Sequence, residues 1–357
     1  MRSTSLRLLS IGLLAFFLTS TSLAALPLLW TDSKAPQEYK DRFAIAWKDC
    51  IELARFAAVS FQGTCDPTYQ RFFEEEEDAA NFVKNVFRKI ANIPFDAVFD
   101  DQSAQEILRS DTVTGLSPEY AKLTIALDES PWLPSHDKGY CNRNSAFGAL
   151  LFNQFTDQGA TSLLCPGLMT YPTISEIIYP PPNLQYDAQG NQRPGWGCDG
   201  LLERDTELML SPGAWLLHEL SHWTFFLQDI PDYNRFIQPI PNSNGLLCIV
   251  DYRGTTPITG YGAYNTQLLK KRVVSNPSDF GPYPTLNNAD SYLWYAESKF
   301  WTWVCQKNFR EAQDPSDDFL RFNSGGVTLA ANPNFKPGDQ GSDHPLPGYS
   351  DFDAAGP

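Results

Sequence analysis

Two of the four histidines in this 357-residue chain, His218 and His222, stand four apart in the segment S-P-G-A-W-L-L-H-E-L-S-H, residues 211–222. On an α-helix that spacing puts both imidazoles on one face, about one turn apart. Glu219 follows the first histidine directly. Two imidazoles so placed can hold a zinc ion, leaving the glutamate free to take a proton from a water activated there. Zinc would serve as Lewis acid toward a scissile carbonyl and Glu219 as general base, the chemistry of peptide-bond hydrolysis. The helix this requires is written into the same segment, because Ser211 is a good N-cap and Pro212 suits the first helical position. Trp215, Leu216, Trp223, Phe225 and Phe226 read as core or cleft-wall residues.

A catalytic zinc takes a third protein ligand and keeps the fourth position open. The two other histidines, His136 and His344, do not extend the pattern, and W-T-F-F-L-Q-D-I-P-D-Y after His222 carries no further histidine. The third ligand is therefore expected to be a carboxylate, in a chain with 42 Asp and Glu.

The elements that must position these groups are legible in outline. In D-R-F-A-I-A-W-K-D-C-I-E-L-A-R-F, apolar residues recur at Phe43, Ala46, Trp47, Cys50, Ile51 and Ala54, the spacing of a buried helix face. A second helix is expected over residues 79–90, with Phe82, Val83, Val86, Phe87 and Ile90 on one side. The acidic run of residues 74–78 before it reads as a solvated helix start favoured by the helix dipole. Short strands are expected at residues 123–127, 162–165 and 174–179, followed by a Pro/Gly-rich loop over 180–200. Another helix follows Asn288. The fold class is α+β, mainly helical, with no internal repeat and one domain over residues 37–310.

The ends differ from this middle. Arg2 and Arg7, an apolar run from Leu8 to Leu18 and the small residues Ser22 and Ala24 read as a secretory signal peptide over 1–24, followed by a short extension over 25–36. Residues 311–357, rich in Gly, Pro, Asp and Ser, read as a flexible acidic tail without a terminal apolar stretch. Secretion makes the seven cysteines readable as disulfides, with one left over. The pairs expected are Cys50–Cys65, Cys141–Cys165 and Cys248–Cys305, leaving Cys198. No N-glycosylation sequon is present, since Asn276 precedes Pro277. With 27 Lys and Arg, the formal net charge is −15, which argues against nucleic acid and anionic membrane as primary partners.

Downstream of the histidine pair stand I-V-D-Y-R-G-T-T-P-I-T-G-Y-G-A-Y-N, residues 249–265, and N-A-D-S-Y-L-W-Y-A-E-S-K-F-W, residues 288–301. The succession H-E-L-S-H, Gly-Thr, Tyr-Gly and N-A-D-S-Y resembles the deuterolysin, or aspzincin, family of secreted zinc metalloendopeptidases, including its lysine-specific branch. The likeness spans about residues 37–310 and is loose outside these motifs. It implies a zincin-like fold with a small sheet beside the zinc helix, a protein or peptide substrate, and a tyrosine, here Tyr261, that donates to the developing oxyanion. It also implies a third ligand from an Asp in G-T-x-x-D. In this chain Ile258 stands where that Asp would be, and no acid lies between Gly254 and Tyr261. Asp251, the nearest carboxylate, is taken first as the ligand. Glu297, Asp290, Asp229 and Asp232 stay open, Asp290 reading better as a helix-start acid or as support for a ligand.

The expected function is a secreted, monomeric zinc endopeptidase with little room for a long prosegment, whose negative charge would draw basic substrates. The alternative is a catalytically impaired secreted binding protein on the same scaffold, suggested by the missing acid.

Overall fold

The computed structural model describes residues 28–30, 37–100, 103–104, 117–127, 141, 149–240 and 245–314. The expected signal peptide, His136, His344 and the tail from residue 315 lie outside them. The architecture is mixed α+β. Helices α1 (Gln37–Val59), α2 (Pro67–Phe72), α3 (Glu77–Ile90), α4 (Ile174–Ile178), α5 (Pro212–Ser221), α6 (Gly262–Ser275) and α7 (Ala289–Cys305) accompany single-turn pieces and one sheet. No described helix is long and apolar enough to cross a membrane.

Helices α1 and α7 run through the core. Ala46, Cys50, Leu53, Ala54 and Ala57 of α1 are fully buried, as are Tyr292, Tyr295, Ala296 and Trp301 of α7. Helix α5 crosses α1 at Gly213, where an added Cβ would lie 2.4 Å from Asp49 Cβ and 2.8 Å from both Ala46 O and Cys50 N. Backbone cannot yield there as a flexible side chain can, so Gly213→Ala overpacks the helix contact. That costs about 1–3 kcal/mol. Thermal unfolding should show a midpoint lowered by roughly 2–8 °C.

The sheet has the order β1-β2-β4-β3, with β1 (Leu28–Trp30), β2 (Leu123–Leu127), β3 (Ala149–Asn153) and β4 (Ala160–Leu164). β1 and β4 pair parallel with β2, and β3 pairs antiparallel with β4. Part of the expected N-terminal extension is thus a strand. β3 packs against α5. Its last residue, Asn153, binds that helix's end: Nδ2 donates to His222 O (2.9 Å) and Oδ1 accepts from Thr224 N (2.9 Å).

Two expectations are corrected and one is refined. Residues 174–178 are helix, not strand, because Thr173 and Glu176 form a capping box. The acidic run is the expected helix start, with Glu77 and Asp78 in the first turn of α3 and Glu75, Glu77 and Asp78 exposed, and it is also tied to the rest of the fold. Glu74 accepts from Thr285, Glu75 pairs with Lys270 (3.2 Å), and Glu76 and Asp78 bind Arg235. Among the cysteines, Cys141–Cys165 forms, whereas Cys198 bonds Cys305. Cys50, Cys65 and Cys248 are free thiols, so neither Cys50–Cys65 nor Cys248–Cys305 exists. Cys50 belongs to the core face of α1, and Cys248 faces the backbone, its Sγ lying 3.2 Å from His222 O and 3.0 Å from Ile249 O.

At the other boundary, Ala312 N donates to Gln267 Oε1 (2.8 Å) and Glu311 pairs with Lys271 (2.6 Å), so the packed region runs past residue 310.

Candidate metal centre

Helix α5 starts as its sequence demands: Ser211 accepts from Ala214 N at 3.2 Å and Pro212 opens the helix. Its last turn carries His218, and His222 is the C-cap. Both rings are buried, and their Nε2 atoms lie 3.1 Å apart. Asp251 Oδ1 lies 3.0 Å from His218 Nε2 and 3.4 Å from His222 Nε2. These three residues are the one group of metal-ligating side chains that converges among the described residues.

The far side of each ring fixes what the near side offers. His222 Nδ1 faces Ile249 O at 2.7 Å. A carbonyl only accepts, so that Nδ1 carries a proton and the neutral ring presents a lone pair at Nε2. His218 Nδ1 meets Asp290 Oδ1 at 2.5 Å, and a carboxylate likewise accepts. Three electron-pair donors therefore face one another. Protons on both Nε2 atoms would press two cations together, whereas one metal ion among the three satisfies all of them. Ligands on a tetrahedral zinc with bonds of about 2.0–2.1 Å stand roughly 3.3 Å apart, close to the observed spacing. The residues fit the ion.

The electrostatics run the same way. Burial pulls the His218 pKa down, but Asp251 and Asp290 outweigh it and lift it to about 10. His222 is raised well above its ordinary value against the same burial cost, chiefly by Asp251. Burial would raise the Asp251 carboxyl, and the two imidazoles reverse this to hold it well below the usual range. The surroundings favour positive charge between these atoms. A metal ion there competes with protons, so acid should release it.

Asp290 is the support the sequence reading preferred over direct ligation. Besides His218, it accepts from Gly262 N (2.6 Å) and Trp294 Nε1 (3.3 Å) through Oδ2. Removing such a partner of a metal-bound histidine typically costs 10–100-fold in affinity. Asp290→Ala should weaken zinc binding by about that factor, read by competition with a chromophoric chelator.

Asp251 reaches the histidines through a loop excursion. Val250 is tied to the strand-like start of α7, with Val250 N donating to Asn287 O (3.0 Å) and Ala289 N to Val250 O (2.9 Å). Residues 252–260 then close on themselves through Gly254 N to Ile258 O (3.1 Å) and Gly260 N to Tyr252 O (2.8 Å). The excursion brings Tyr261 back beside Asp251. The Tyr261 ring stacks on His218, with centroids 5.6 Å apart at 18°. Its pKa is raised well above the phenol value by burial and by the nearby carboxylates, Asp251 first, so the hydroxyl stays a proton donor.

Glu219 completes the site. It is buried, and its Oε2 has no hydrogen-bond partner among the described residues. Burial raises its pKa to about 7; His218 and His222 oppose the rise, and Asp251 and Asp290 add to it. The other candidates stay away from the cluster. Buried Glu297 accepts from Trp301 Nε1 at 2.6 Å, Asp229 pairs with Lys89 at 2.8 Å, and Asp232 precedes the single helical turn Tyr233–Phe236. Sequence reasoning missed the Ile249 carbonyl, the Gly262 amide and Asn153. The first two act through backbone, which side-chain identity cannot reveal.

Neither protein-family models, nor characterised proteins, nor solved structures give a match to this chain.

Proposed function

We propose that the chain is a secreted zinc-dependent endopeptidase with a zincin-like fold, akin to the deuterolysins. The single observation that carries this is a buried glutamate with an unpartnered carboxylate oxygen beside three converging metal-ligand atoms. His218, His222 and Asp251 would hold the zinc, and the bound ion would supply a Lewis acid and lower the pKa of the attacking water. Glu219 takes the water's proton as that water adds to the peptide carbonyl, then delivers it to the leaving amine. The Tyr261 hydroxyl donates to the oxygen on which negative charge develops. Asp290 and the Ile249 carbonyl keep both imidazoles in one tautomer and orientation.

The lack of an acid in residues 254–258 favours a non-catalytic binding protein only if the ligand set is incomplete. Asp251 supplies a carboxylate at 3.0 Å from His218 Nε2, which supports the catalytic reading over this one. The test is hydrolysis of an unstructured protein such as casein by the secreted, purified chain. Cleavage should be abolished by a chelator and restored by zinc; inertness with zinc bound would overturn the reading.

A further inference from the structure

A cavity of about 480 Å³ opens on the excursion that joins Asp251 to Tyr261, lined by Tyr252, Arg253, Thr255 and Thr256 of that excursion together with Arg272 and Phe280. We infer that it is a subsite for an acidic side chain of the peptide substrate, with Arg272 as the residue that sets the preference. This rests on the endopeptidase reading and names its substrate class.

The first observation is position. Tyr252 follows the ligand Asp251 directly, so their Cα atoms are about 3.8 Å apart. The wall is also braced to the centre. Asn288 Oδ1 accepts from Tyr252 N at 3.1 Å and its Nδ2 donates to Gly260 O at 3.2 Å, two residues before the Asp290 that holds His218. At the other end of the excursion, Tyr261 leads straight into α6, whose later turns carry Arg272. Cavity and centre therefore share one framework.

The second observation is charge. The lining carries Arg272 and Arg253 and one carboxylate, Asp279, on a molecule whose formal charge is −15, and Arg272 supplies the positive charge of the subsite. Arg272 is exposed and forms no ion pair among the described residues. Distant surface acids are screened beyond about 8 Å at physiological ionic strength, so a side chain inside the cavity responds to Arg272. Guanidinium groups match the planar carboxylate with paired donors. Thr255 and Thr256 add hydroxyls, and the Tyr252 and Phe280 rings, 6.2 Å apart, offer apolar surface to a methylene stem. Size agrees, since ligand pockets run from about 300 to 1,000 Å³. This local preference is opposite to the basic one suggested by net charge.

The experiment uses the secreted, zinc-loaded chain and alanine-rich, dye-labelled peptides in which one position carries Asp, Glu, Asn or Lys, scanned along the peptide. Binding is read by anisotropy and cleavage by mass spectrometry. The expected result is that an acid at one position near the cut raises affinity and kcat/KM about tenfold over Asn. Arg272→Ala should remove most of that ratio and Arg272→Glu should turn it toward Lys, with bound zinc and circular dichroism as checks on folding. An acid-to-Asn ratio near one in the wild type, or a ratio unmoved by both variants, would overturn the subsite. Binding that follows the arginine while no peptide is cut would leave the subsite standing and count against the endopeptidase reading alone.

Discussion

Asp251→Ala should leave a folded chain that no longer retains zinc through dialysis, whereas Glu297→Gln and Asp229→Ala should retain it like the wild type. Asp251 is the only carboxylate among the described residues whose oxygen meets both imidazole Nε2 atoms, at 3.0 and 3.4 Å. Without it, two lone pairs 3.1 Å apart face each other with no carboxylate oxygen left to meet a cation between them. Loss of a residue that merely orients a ligand costs about 10–100-fold in metal affinity, and loss of a ligand must cost more. Activity should vanish with the zinc. Metal analysis by mass spectrometry decides it: zinc stoichiometry unchanged in Asp251→Ala would remove the aspartate from the ligand set. Acidification should mimic the variant in the wild type, because protons on the imidazoles and on Asp251 compete with the ion.

How much of this centre could be read beforehand depended on how local each relationship is. His218, Glu219 and His222 lie within one helical turn, so the 3.6-residue period alone puts them together, and Ser211 and Pro212 announce the helix. Asp251 was harder, because its approach depends on a closed excursion of nine residues, 252–260, that no periodicity describes. Asp290 was read as a support or helix-start acid, and it is both: it lies in the first turn of α7 and holds His218 Nδ1.

The misreadings have physical causes of the same kind. Thr173-x-x-Glu176 is a helix-start signal that alternating apolar residues masked. Cys50 already stood on the apolar face of α1, which is where a buried free thiol belongs, but a short loop to Cys65 made pairing look easier. Cys198 and Cys305 are 107 residues apart, and only the packed fold brings them together. Glu74 is held by Thr285, 211 residues away, a tether that the largely exposed acidic run does not announce. Helix α6 buries Thr266, Gln267 and Lys270 beside Ala263 and Leu269, so no apolar stripe announces it, although its first amide braces Asp290.

Glu219→Gln should bind zinc like the wild type and lose roughly 10²–10⁴-fold in kcat, the usual contribution of a positioned general base. The amide keeps the shape of the side chain but cannot accept the water's proton. The same substitution should stabilise the metal-free fold, with a sign that pH can test. Glu219 has its pKa lifted to about 7, first by burial, so the folded state holds a proton that the unfolded chain gives up near the ordinary value of 4.5. Stability then falls as pH rises between those two values, since the native state binds more protons there than the unfolded state. The full effect is about 3 kcal/mol. Glutamine carries no such cost. In chelator, the unfolding midpoints of wild type and Glu219→Gln should lie close together at pH 4 and separate by pH 8, with the variant higher. A gap that shrinks as pH rises would mean that the buried carboxylate is stabilised by its surroundings, contrary to its unpartnered oxygen. Retained zinc, lost turnover and a gain in stability that grows with pH would together identify a base kept in an unfavourable place for its chemistry.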